Sequence, residues 1–263
     1  MEHLSGPEKP SPESIQPTYV RPPGLEFAMG VALFGVLVVT YALLQEACII
    51  AYSFAHSPEL IGQRFHLGQL SDPHFTELMI AMRSNGDAIA RTATIGPVFG
   101  IIALLSVVKW WKKKHFSNFL GFHVPLLRDL VKWGLIFAVL VASIELLATL
   151  FPVFRTDFME KILASNTERL WLIMGVGLLT PLFEELLLRG LLQGSLRHIA
   201  DEHSAIAITA GVFAVMHLQY DLSIILIIVP FGVVLGYARS RSNSIWVPVV
   251  LHMLNNLLTV LVP

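Results

Sequence analysis

The sequence predicts an all-α fold, a polytopic transmembrane helical bundle of about seven spans, and two observations predict it. The first is composition: 54% of the 263 residues are hydrophobic and only 14% charged, where a soluble domain carries roughly a quarter charged residues. The mean hydropathy of +0.66 agrees. The second is the recurrence of apolar runs long enough to cross ~30 Å of hydrocarbon at ~1.5 Å per residue.

Taken in order, residues 1–24 (MEHLSGPEKPSPESIQPTYVRPPG) are polar and proline-rich. They have neither the basic start nor the small-residue cleavage site of a signal peptide, and a disordered cytoplasmic tail is expected. Spans follow at about 27–51, 93–109, 130–151, 169–195, 204–220, 223–238 and 245–262. The segment between the first two is too charged to cross lipid, but its FTELMIAM stretch is apolar at helical spacing and reads as an interfacial helix. The chain thus divides into the tail, N-terminal transmembrane helices over 25–167 with an interfacial loop at 52–92, and a C-terminal transmembrane core over 168–263. No internal repeat and no second soluble domain are visible.

The formal net charge of -1 gives no footprint for nucleic acid. A single cysteine, Cys48, leaves nothing for a disulfide framework or a cysteine-based zinc site. Lys109, Lys112, Lys113, Lys114, Arg128, Lys132, Arg197, Arg239 and Arg241 flank loops that fall on one side of the bundle. Because cytoplasmic loops carry the excess of Lys and Arg, the N-terminus and the EELLLRG end of the fourth span are expected in the cytoplasm. Arg64, Arg83, Arg91, Arg155 and Lys161 lie on the other side and reduce the asymmetry. The tail favours a bacterial cytoplasmic membrane over the endoplasmic reticulum.

An ionisable group inside the bilayer is expensive and marks a functional site by default. The polar residues within the spans are Glu46, Glu145, Glu184, Glu185, Arg189, His217, His252, Asn255 and Asn256, and the last seven cluster in the C-terminal third. Glu185 and Arg189 are four apart and share a helix face, whereas Glu184 is rotated by ~100° and should point elsewhere, into a cavity. Phe213 and His217 share one face, and His252 and Asn256 another. Counted from the cytoplasmic ends at ~1.5 Å per residue, Glu184 lies about 15 Å deep, His217 about 20 Å and His252 about 13 Å. Three helices can present these groups to one centre.

Amide hydrolysis needs a base to activate water and donors to hold the oxyanion, and a Glu, two His and an Asn can supply both. Glu184, His217 and His252 would also make a zinc site with an open water position, so zinc remains an option at this point. An Asn is a poor zinc ligand and a good hydrogen-bond donor, which favours no cofactor.

The ordered trio EELLLR, FAVMH and HMLNN resembles the EExxxR, FxxxH and HxxxN motifs of the CPBP family of intramembrane proteases, related to the CAAX prenyl endopeptidases and bacterial ABI proteins. The resemblance covers about residues 168–263. It implies an intramembrane endopeptidase that cleaves a membrane-associated or lipidated peptide or protein. Glu184 would activate water with His217 as partner, His252 and Asn256 would stabilise the oxyanion, and Glu185 and Arg189 would support them, with Phe213 packing beside the site. The alternative from another class is a transporter or scaffold whose Glu and His carry protons. Pro181 and Pro230, as helix breaks, lean that way. Asn255 reads as interhelical glue, and Glu46 and Glu145 as paired or protonated residues.

Overall fold

The computed structural model describes residues 21–261; up to residue 20, the expected N-terminal tail lies outside the described residues. The described chain is helical: α1 Pro23–His56, α2 Pro73–Met82, α3 Gly86–Lys112, α4 Phe116–Leu120, α5 Leu127–Leu150, α6 Phe158–Ser165, α7 Arg169–Leu196, α8 Glu202–Val215, α9 Leu222–Ser242 and α10 Trp246–Leu261. Short 3-10 turns precede α2, join α3 to α4 and follow α5.

Local chemistry sets the boundaries. Pro23 occupies the first turn of α1, where a missing N–H costs nothing. Asn85 caps α3 by accepting from the Asp87 and Ala88 amides at 3.1 and 3.0 Å, and Asp201 caps α8 in the same way. Asn243 ends α9 in the left-handed conformation, which asparagine tolerates better than most residues.

Among the described residues five helices, not seven, are long and apolar enough to cross a membrane: α1, α3 with its continuation through α4, α5, α7 and α9. The expected fifth and seventh spans become α8 and α10, of 14 and 16 residues. At ~1.5 Å per residue these reach ~21 and ~24 Å, short of the ~30 Å hydrocarbon core. The fifth fails because the helix ends at Val215 and turns through 216–219, where Gln219 and Asp221 interrupt the apolar run. The sixth, by contrast, is a 21-residue helix, longer than the 16 residues assigned to it from hydropathy.

Helix α7 is the hub. Phe183, Leu187 and Leu191 face α1 and α3, packing with Leu37, Leu104, Trp111 and Val249. Leu188, Leu192 and Leu196 face the other way, toward Trp133, Phe213, Leu235 and Leu251. Close approach of α8 to α9 depends on Gly232 and Gly236: a methyl group there would meet Ala210 at 3.1 Å and Ile206 at 2.8 Å. Small residues four apart let membrane helices pack backbone to backbone.

α7 is not a uniform α-helix. Ile173–Leu179 and Leu186–Leu192 are π-helical and enclose a six-residue α-helical piece, Thr180–Glu185. Wide π turns inside α-helices are frequent at functional sites.

Candidate active site

The six-residue α-helical piece carries Pro181, Glu184 and Glu185, and the π turns around it have a local cause. Within the first π segment the Thr180 amide bonds back five residues to the Gly175 carbonyl. The Val176 carbonyl would by the same register take the amide of residue 181, but proline has none. The Asn256 side chain fills the gap, its Nδ2 donating to the Val176 oxygen at 3.0 Å. Asn256 therefore ties α10 to α7 about two turns before the glutamates, and one of its two amide N–H groups is committed there.

His252, one turn earlier on α10, is buried and stands between the two carboxylates. Its Nδ1 lies 2.9 Å from Glu185 Oε1 and its Nε2 lies 3.8 Å from Glu184 Oε2. The two adjacent glutamates thus reach one imidazole from different sides. The ~100° between them is real, but an imidazole offers a nitrogen on each side, and each carboxylate approaches a different one. Ionised carboxylates only accept, so Nδ1 carries a proton toward Glu185.

Glu185 also meets Arg189, at 3.3 Å from Nη1, with both side chains fully buried. The expected partnership is present in position, although Nη1 is not aligned as a hydrogen-bond donor among the described residues. Arg189 instead donates from Nη2 to the Gly232 carbonyl at 3.0 Å and lies over the Phe213 ring, 4.7 Å from its centroid. Four residues on, Gln193 donates to the Gly236 carbonyl at 3.2 Å. α7 is thereby fixed to α9 by two side chains reaching glycine carbonyls.

Glu184 differs from its neighbour: its side chain is 14% exposed where that of Glu185 is 0%. It is the less buried of the two carboxylates.

His217 is placed differently from the expectation. It lies in the turn after α8, not within a span. Its Nδ1 is 2.7 Å from the Phe213 carbonyl. A carbonyl oxygen only accepts, so Nδ1 holds the proton and Nε2 is left free. Among the described residues His217 makes no ion pair with Glu184; the histidine brought to that carboxylate is His252. The Phe213 ring packs against both imidazoles, with centroids 4.7 Å from His217 and 5.6 Å from His252. Phe213 is thus a packing residue, as expected, but one that touches Arg189, His217 and His252 together.

Three residues at the site went unread in the sequence. Tyr220 stacks near His217 at 6.3 Å, and burial together with the Glu184 charge pushes its hydroxyl pKa up to about 12, so it stays a donor at neutral pH. Tyr41 of α1 packs on Phe183 at 4.5 Å and accepts from Gln45 at 2.9 Å. The signal available for Tyr220 was its spacing of three from His217. Tyr41 and Gln45 sit in an otherwise apolar run and offered no motif.

A zinc ion would require Glu184, His217 and His252 to converge at ~2.0–2.2 Å from one point. Among the described residues no three His, Cys, Asp or Glu side chains are so grouped. With Nδ1 of His252 given to Glu185 and His217 standing off, the residues as placed do not fit a three-ligand zinc site.

No curated protein and no solved structure matches this chain. Residues 166–258, a little over a third of the chain and the stretch that contains Glu184, Glu185, Arg189, Phe213, His217, His252 and Asn256, match the family model described as Rce1-like, type II CAAX prenyl endopeptidase Rce1-like, which is consistent with membership of that family.

Proposed function

We propose that the protein is an intramembrane endopeptidase that hydrolyses a peptide bond of a membrane-associated or lipidated peptide or protein, by a metal-free glutamate mechanism. The family match supports peptidase activity in general terms. The observation that carries the finer reading is the position of His252, held through Nδ1 by the fully buried Glu185 while Nε2 faces the partly open Glu184. A buried carboxylate that holds a histidine in one orientation is an arrangement suited to catalysis.

In this reading Glu184 takes a proton from water, and the resulting hydroxide attacks the scissile carbonyl carbon. His252, doubly protonated so that Nε2 carries a proton as well as Nδ1, and the second amide N–H of Asn256 hold the oxygen as it becomes negative. The carbon–nitrogen bond then breaks, the proton on Glu184 passes to the leaving nitrogen, and a carboxylate and an amine are released. His217, with Nδ1 committed to the Phe213 carbonyl, presents Nε2 to the same water. Arg189 sets its positive charge beside Glu185, and Glu185 in turn keeps His252 oriented. The basic end of the bundle faces the cytoplasm, with the protein in a bacterial cytoplasmic membrane and the N-terminus inside.

A transporter built on the same residues would move protons through Glu184 and His252. The two readings separate in one experiment on cells lacking the protein and complemented with wild type or Glu184→Gln. Peptide termini of membrane proteins are compared by mass spectrometry. A hydrolase leaves a defined set of new termini that disappears with Glu184→Gln, while the uncut precursor co-purifies with the variant. Identical termini in both strains contradict the proposal.

A further inference from the structure

A polar cavity lies at the basic end, and Glu184 is not among its lining residues. It has a volume of about 190 Å³ and is lined by Asn118, Gln193, Arg197, His198, Arg239 and Asn243, with Arg189 at its inner wall. That volume equals roughly six waters at ~30 Å³ each, enough for a tetrahedral oxyanion with some solvent. No carboxylate lines it.

Arg239 is the unusual member. It is 96% buried, at 4% relative exposure, near the end of a membrane-spanning helix. Its Nε and Nη1 have no hydrogen-bond partner among the described residues, and it makes no salt bridge among them. Glu26 and Glu202 are engaged elsewhere, Glu26 with Lys112 and Glu202 with Arg241 and Ser240. The guanidinium lies flat against Gly121, where a methyl group would stand 2.3 Å from Nη2, and Gly121 has the positive φ of 78° that glycine accepts freely. Ile245 fixes Gly121 by donating to its carbonyl at 2.9 Å. The chain therefore builds a slot for this side chain without providing a counter-charge.

A buried charge without a partner is strongly destabilising. The carboxyl end of the α9 macrodipole favours a cation nearby, but it does not satisfy the two N–H groups. Arg197, exposed at the rim, adds a second positive charge. Asn118 and Asn243 can add neutral donors. Burial and the Lys112 charge hold His198 below the ordinary histidine range, so it contributes a neutral imidazole.

We infer that this cavity is an anion site for a phosphate group, bound by Arg239 and Arg197, at the level where the bundle meets the lipid headgroups. The phosphate group comes from the headgroup of an anionic phospholipid or from free phosphate. The proposal concerns binding and is independent of the peptidase reading.

The test uses the full-length protein in nanodiscs. One arm uses phosphatidylglycerol discs and counts lipids retained after release, by native mass spectrometry. The other uses phosphatidylcholine discs and titrates inorganic phosphate, read by equilibrium dialysis with labelled phosphate. The expected result is one retained anionic lipid, or saturable phosphate binding, weakened about thirtyfold or more by Arg239→Gln, the effect of removing one partner of a buried charge pair. Arg197→Ala, at an exposed position, should weaken it less while leaving the fold unchanged. The arm that responds identifies the source. No saturable binding in either arm, or equal binding by wild type and both variants, overturns the site.

Discussion

The N-terminal helices and the C-terminal core use polar residues in opposite ways. In α1 and α5 only 11% of the apolar window is buried inside the protein, against 44% in α7. The outer helices present side chains such as Val36, Leu43, Leu135 and Val139 outward, as lipid contact requires. Two of their acids follow suit: Glu46 pairs with Arg83 at 2.8 Å with both side chains about half exposed, and Glu145 is exposed. In the core, Glu185, Arg189 and His252 are buried and tied to one another. An exposed ion pair tolerates loss because solvent or headgroups replace it. A buried triad does not. Polar residues retained at that cost point to function, and they all fall within the matched stretch.

Substitutions can break this comparison, beginning with the largest effect. Glu184→Gln should lower turnover by about 10²- to 10⁴-fold, the range for a lost general base, while the unfolding midpoint stays near wild type, because the side chain is partly exposed and the substitution keeps its size. Turnover and thermal unfolding measured on one preparation decide it. A large stability loss with little change in rate would place Glu184 with the packing residues.

Next comes the triad. Glu185→Ala strands both Arg189 and His252 and should cost about 3 to 5 kcal/mol, the range for breaking a buried pair. Arg189→Ala should cost less, since His252 still holds Glu185. The double variant should recover part of the Glu185→Ala loss. A double-variant cycle by denaturant unfolding measures the coupling, and simple additivity would show that the pair is not coupled.

The smallest effects sharpen the contrast. Asn256→Ala leaves the Val176 carbonyl unsatisfied and should cost about 1 to 3 kcal/mol. If Asn256 also stabilises the oxyanion, kcat falls more than the folded fraction does; a purely structural role would leave kcat per folded molecule unchanged. Arg83→Ala, on the exposed pair of the N-terminal region, should change stability by about 0.5 kcal/mol or less.

Much of this was legible in the sequence because helical spacing is a strong constraint. Four-residue spacing placed Arg189 beside Glu185, and the distinct direction of Glu184 followed from the helix turn. What was not legible came from departures from regular helices. The turn at 216–219 removed His217 from a span and shortened α8, which hydropathy averaging conceals. The π turns of α7 follow a register that spacing rules of 3.6 cannot show, although Pro181 marks the end of the first of them. The Asn256–Val176 bond follows from that proline only once the five-residue register is known. The pairing of His252 with both glutamates required the relative placement of α7 and α10, which no local pattern encodes.

The account's central claim is that this buried cluster hydrolyses peptide bonds through Glu184 without a metal. The most direct measurement is turnover of a cleaved membrane peptide and bound zinc on the same chelator-treated sample of purified protein. The account predicts that activity persists when zinc is far below stoichiometric and that it is lost with Glu184→Gln. Activity that disappears with the removal of stoichiometric zinc and returns on its readdition would contradict it.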